Sequence, residues 1–276
     1  MPTARAVELA APIADVLARA SRVIATAEPF QAASSRRRFA LGAPDGASAV
    51  FLPPFLEAVR QAAPGIDISI LQLLPVQGEP APERAWRNAA ADLDAHALDI
   101  AVIPHDRAAA RFHLRHLYDE DFVIAARAGH WLIDRPSLDA YCAADHLVVS
   151  FTGDRDGFVD QELAKRGRSR RVALNVPSFM LALALLAETD LVSALPGRFV
   201  AMHGPRFGVV GMAPPLRLPR FRLTAMVPNV ALMDAGLAWL LDTLCAIELP
   251  GPSRGRAIRR RSGGAERPGR TPVGQP

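Results

Sequence analysis

Two pairs of side chains have the residue types that catalysis or metal binding would need, and neither pair has the spacing. Asp154 and Asp156 stand two apart in GDRDG. Paired carboxylates do acid–base work only when a fold holds them across a reacting bond. Flanked by Gly153 and Gly157, these two read instead as solvated turn residues. His113 and His116 in FHLRHLY would share a face of a helix, yet this stretch reads as extended, so the rings need not converge. Cys142 and Cys245 lie far apart with no ligand spacing around either, the pattern of buried thiols in a reducing compartment. No nucleophile with a base is evident, and no metal or cofactor is expected. Catalysis stays as the alternative from a different class.

The basic pI of 9.8 points to nucleic acid until the charge is located. Segment 251–276 holds seven arginines against one glutamate, so residues 1–250 sum to −2 of the chain's +4. A mildly acidic body is a poor general binder of phosphate backbones. The tail is rich in Gly and Pro and lacks hydrophobic periodicity, which predicts a disordered basic end. Residues 1–11 have no basic segment followed by an apolar one, and no apolar run is long enough to span a bilayer. A cytoplasmic protein is expected; a transport-type solute-binding protein would need an export or lipid-attachment segment.

The elements that would position any site follow from hydrophobic period. Leu9, Ile13, Val16, Ala20, Val23 and Ala27 recur at alternating spacings of four and three, a heptad seam on an amphipathic helix within 1–30. Such a stripe needs another surface, and pairing with the same helix of a second chain is favoured over packing on its own domain. From Phe39 onward, strands alternate with helices: strands at 39–43, 66–73 and 98–103, with helices over 45–63 and 82–95 between them. A second series follows, with strands at 121–126, 146–150, 171–176 and 191–195 and helices at 137–143, 157–166 and 178–188. A late strand at 221–227 and a helix over 231–246 complete it. This order predicts an α/β protein with parallel strand pairs, helices on both sheet faces, and two lobes crossed more than once by the chain.

Several segments, in this order, resemble a LysR-type transcriptional regulator from the end of its winged helix onward. TARAVELAAPIADVL is similar to the start of that family's linker helix, and FALGAPDGASAVFLPPFLEAVRQAAPGIDI to its first strand, pocket helix and second strand. ALDIAVIP, DEDFVIAARAGHWL and DLVSALPGRFV resemble its later strands, so the resemblance covers roughly residues 3–247. It implies a two-lobed, periplasmic-binding-protein-like (type 2) fold with two mixed sheets and crossing strands, behind a linker helix. The expected units are 1–30 as linker and oligomerisation helix, and 36–247 as effector-binding domain. Lobe I would be 36–118 plus 222–247, and lobe II 119–221. The family's winged helix-turn-helix has no counterpart in these residues, so DNA would be reached only through a module missing from the sequence.

The resemblance further implies a small-molecule effector between the lobes, in a homodimer or homotetramer. Two helix N-termini, near Gly46 and near Ser178, would offer amide N–H groups from facing lobes. Carried over position by position, the effector-binding residues are Asp45, Ala47, Ser48, His105, Ser150, Thr152, Ser178, Phe179 and Asn229. Several have plainer readings. Asp45 is also placed to cap its helix, Ser48 and Ser178 to bond backbone, His105 to be a loop residue, and Phe179 to be core. If Asp45 faces the cleft, its charge opposes a carboxylate and favours a neutral, aromatic or cationic ligand.

Overall fold

The alternation of Phe39, Leu41 and Ala43 sets one face of an extended segment against a core. In the computed structural model this is β1 (Arg38–Ala43), with those three side chains at most 2% exposed. The structure describes residues 3, 5, 8–10, 12–13, 16–17, 30–76, 79, 82–105, 107–151, 153–154, 156–249 and 251. β2 (Asp67–Gln72) pairs with β1 in parallel, Phe39 opposite Ile68 and Leu41 opposite Ile70, and β3 (Ile100–Ile103) joins the other side in parallel. Parallel neighbours need crossovers. The first is α1 (Asp45–Ala62). The second is a pair of short helices, α2 (Pro82–Ala85) and α3 (Arg87–Asp94). The single helix expected over 82–95 breaks at Trp86, whose indole is buried with Leu73, Leu98 and Phe112.

β4 (Phe112–Glu120) contains both His113 and His116, so that stretch is extended. It lies at the sheet edge, separated from β3 by the returning strand β10 (Phe221–Pro228), which is antiparallel to both neighbours. The first sheet thus runs β2-β1-β3-β10-β4.

The remaining strands repeat this plan. β5 (Phe122–Arg127) lies between β8 (Ser193–Pro196) and β9 (Val209–Met212), antiparallel to each. β6 (Asp145–Val149) and β7 (Arg171–Val176) form a parallel pair. A parallel bridge from His146 to Val192 joins this pair to the residues just before β8, with Leu147 N–H donating to the Val192 carbonyl at 2.9 Å. The resulting order β7-β6-β8-β5-β9 has the directions of the first sheet. Helices α4 (Trp131–Asp134), α5 (Leu138–Ala143), α6 (Phe158–Ala164), α7 (Phe179–Glu188) and α8 (Gly197–His203) accompany this second sheet. The sequence reading did not identify α4, α8 or β9.

The chain passes from the first sheet to the second at Asp121 and returns ahead of Phe221. The two crossings are tied together: Arg220 donates to the Asp121 carboxylate, with Nη2 at 2.6 Å from Oδ2, and the Phe122 and Phe221 rings lie 5.2 Å apart. α9 (Ala235–Ala246) closes the first lobe. Its start is set by Asp234, whose Oδ1 accepts from the Gly236 and Leu237 N–H groups at 2.8 and 3.3 Å. The helix expected from 231 therefore begins later, after a 3-10 turn at Asn229–Met233.

α1 carries two prolines in its interior, Pro53 and Pro54. Proline has no N–H to donate to the carbonyl four residues back, so Pro53 leaves the Ala49 carbonyl without its helical partner. His203 of α8 takes that place, its Nε2 lying 2.9 Å from Ala49 O. A sequence defect in one lobe thereby becomes a hydrogen bond to the other. The main core is continuous across this contact, from Leu41 and Phe51 through Leu183 and Phe199 to Leu147.

At the N-terminus, the described positions 5, 8–10, 12–13 and 16–17 are helical. Leu9, Ile13, Val16 and Leu17 are exposed there, at 39, 52, 64 and 61%. Ala20, Val23 and Ala27, the rest of the heptad seam, lie outside the described residues, as does the basic tail 252–276. Among the described residues no helix is long and apolar enough to cross a membrane, and no group of His, Cys, Asp or Glu is arranged to hold a metal.

Candidate functional site

A cleft of about 700 Å³ lies where the loop after β2 faces the second sheet. Its volume is within the range of small-molecule sites. Pro75, Val76 and Glu79 line one side. Phe122 of the crossing strand lines it, as do Val149, Ser150 and Phe151 at the end of β6, Gly157 and Phe158 at the start of α6, and Phe179. Ser193 and Ala194 of β8 complete the wall.

Rings dominate this wall. Phe122 packs on Phe158 with centroids 4.3 Å apart, and Phe179 meets Phe199 edge-on at 5.8 Å. Polar groups are few. Ser193 is 1% exposed, and among the described residues its Oγ has no hydrogen-bond partner. Such a group loses its hydration without compensation unless something else bonds it.

The charges in the wall are largely spoken for. Arg170, 3% exposed at its side chain, donates to both Asp160 oxygens, with Nε–Oδ1 and Nη2–Oδ2 each 2.8 Å. Burial works to raise the Asp160 carboxyl, but the Arg170 hydrogen bonds, helped by the Gly157 N–H at 2.9 Å, outweigh it and hold the group below the usual carboxylate range. Glu79 accepts from Arg84 at 2.9 Å. Asp154 and Asp156 are exposed and line the cleft beside Gly153, whose φ of +82° makes the tight turn that glycine permits.

Asp45 lies at the meeting of two helix starts. Its Oδ1 accepts from the adjoining Gly46 N–H at 2.8 Å and its Oδ2 from the Phe179 N–H at 2.9 Å. One carboxylate thus bonds the first turns of α1 and α7, which belong to different lobes. The approach requires glycine next door, because a Cβ on Gly46 would stand 2.9 Å from the Phe179 ring.

Of the residues expected from the sequence, Ser150 and Phe179 line the cleft and Asp45 bonds the backbone of one of them. Ser178 caps α7, its Oγ accepting from Leu181 N–H at 3.4 Å. Ala47 packs on the main core, and Ser48 is buried, its Oγ without a partner among the described residues. His105 is buried beyond the end of β3 and its carbonyl accepts from the Thr224 hydroxyl. Asn229 donates to Ala110 O at 2.7 Å on the surface. Thr152 lies outside the described residues. Phe122, Phe158, Arg170 and Ser193 were not anticipated. Phe151 and Phe158, bracketing the turn that enters α6, were a readable signal, whereas Arg170 and Ser193 carry none without the tertiary pairing.

One buried acid sits at the crossing itself. Glu120, 2% exposed, accepts from the Asp121 and Arg198 N–H groups at 3.2 and 3.1 Å. Burial pushes its carboxyl up to about 7. A folded-state value above the ordinary 4.5 means that this contribution is full below pH 4.5 and is lost as pH rises through 7. His146 acts oppositely: buried, it is lowered to about 4, so its contribution is present above its ordinary 6.5 and is lost as pH falls through 4. Glu120→Gln keeps an acceptor oxygen and removes the first effect. Its unfolding free energy at pH 8 is expected to exceed that of the parent by about 1–3 kcal/mol, with no gain at pH 4. Urea melts at the two pH values check this.

The family described as "LysR substrate binding domain" matches residues 32–246. The HTH-type transcriptional activator NagR of Ralstonia sp. is 30% identical over 240 residues, covering 87% of this chain and 76% of that protein. Among solved structures, a probable transcriptional regulator from Pseudomonas aeruginosa superposes with a TM-score of 0.74 at 24% identity, over 91% of this chain and 80% of the other. The regulatory domain of MexT, a transcriptional activator in Pseudomonas aeruginosa, gives 0.64 at 28% identity, over 77% and 98%. With two lobes of like topology, this fold and these relatives, the chain belongs to the LysR substrate-binding-domain family.

Proposed function

We propose that this chain is the sensing part of a LysR-family transcriptional regulator, binding a small-molecule effector in the cleft between its lobes. The observation that carries this reading is the cleft of about 700 Å³, walled by rings and holding a buried Ser193 hydroxyl without a partner among the described residues. The lobes we assign are 36–118 with 222–247, and 119–221. A ligand that binds one arrangement of the lobes better than another shifts the population toward it, by no more than its differential affinity. The shift reaches DNA through a winged helix-turn-helix not included in these residues, and the helix within 1–30 couples chains into a homodimer or homotetramer.

Ser150→Trp tests the reading by filling the cleft from the end of β6. Any compound that stabilises the parent protein in a thermal-shift screen is expected to lose affinity by about tenfold or more, some 1.4 kcal/mol, in this variant. Unchanged affinity by calorimetric titration would place the ligand elsewhere.

A further inference from the structure

We propose that the cleft selects uncharged aromatic molecules bearing a hydroxyl group and rejects carboxylates, because the places that would hold an anion are already filled by carboxylates of the protein itself. This rests on the effector reading above and narrows it to a ligand class.

Three observations converge. The first turns of α1 and α7 meet beside the cleft that Phe179 lines, and there the Asp45 carboxylate accepts N–H bonds from both, at 2.8 and 2.9 Å. Arg170 is the cation that lines the cleft among the described residues, and Asp160 engages it through both oxygens at 2.8 Å. The other ionisable side chains described there are acids: Glu79, engaged by Arg84, and the exposed Asp154 and Asp156. An incoming carboxylate would shed water to face the exposed Asp154 and Asp156, with no uncommitted cation among the described residues lining the cleft to receive it. An uncharged ring loses nothing of this kind, and Phe122, Phe158 and Phe179 offer it faces and edges. Ser193 Oγ, buried and without a partner among the described residues, can both donate and accept, matching a ligand hydroxyl.

The test uses para-phenylphenol and para-phenylbenzoate, the same two rings uncharged and anionic at neutral pH, titrated calorimetrically into the whole chain. The phenol is expected to bind at least about tenfold more tightly. Two variants assign the cause. Asp154→Asn/Asp156→Asn alters only exposed side chains, and Asp45→Asn retains one acceptor oxygen. Each is expected to narrow the preference for the phenol over the carboxylate about threefold or more. Carboxylate binding as tight as phenol binding, abolished by Ser150→Trp, would overturn the selectivity while leaving the cleft as the site. Binding of either probe that survives Ser150→Trp, or no binding of either, would overturn the cleft reading as well. An unchanged preference in both charge variants would overturn the charge explanation.

Discussion

Asp160→Ala is expected to lower the unfolding free energy by about 3–5 kcal/mol, because it strands a guanidinium that the fold has removed from water. Arg170 is 3% exposed at its side chain and has both Asp160 oxygens at 2.8 Å, with the Tyr141 hydroxyl at 3.4 Å as a further hydrogen-bond partner. The same carboxylate accepts from Gly157 N–H at the start of α6, so the variant also loses a cap. The large cost belongs to the orphaned charge rather than to the worth of the pair. Replacing both partners together, Asp160→Leu with Arg170→Met, is therefore expected to cost less than about 2 kcal/mol. Guanidinium melts of the two proteins decide the matter, and a double variant as unstable as the single one would refute this explanation.

Phe199→Ala is expected to cost about 3–5 kcal/mol through the cavity it leaves. The ring is fully buried and stands between Phe179, 5.8 Å away, and His203, 5.4 Å away. Phe179 N–H bonds the Asp45 carboxylate and His203 holds the Ala49 carbonyl, both of α1, so this one side chain supports two contacts between the lobes. Phe199→Leu retains most of the volume and is expected to cost less than about 2 kcal/mol. Denaturant melts read both values. A loss below about 1 kcal/mol for the alanine variant would mean that the α1–α8 contact relaxes around the void.

Much of the architecture was legible because each strand has a simple period. Phe39, Leu41 and Ala43 announce β1, and the apolar run at 98–103 announces the buried β3. The elements missed lack that contrast. α8 is short and buried on most sides, so no polar face marks its helical period. The register between β6 and the residues before β8 depends on one bridge at Val192, which no local pattern encodes. The late helix starts at Ala235 rather than 231 because Asp234 caps it and binds Arg37, a partner 197 positions away.

The site was legible in outline only. Asp45 was read both as a cap and as facing the cleft; its two oxygens bond two helix starts, and the second belongs to Phe179, 134 residues on. Ser150 and Phe179 came from the family resemblance, carried over position by position. Arg170 and Asp160 meet only because the chain folds back between α6 and β7, and Ser193 gains its meaning from having no partner among the described residues, a property no sequence shows. Pro53 is the instructive middle case. Its missing N–H is written in the chain, but that His203 answers it is a fact of the fold.

The most direct test of the whole account is a crystal structure of the protein with a compound that stabilises it in solution. The account predicts electron density for that compound against Phe122, Phe179 and Ser193, with its polar group within hydrogen-bond distance of Ser193 Oγ. Density on another surface, with this cleft filled only by solvent, would contradict it.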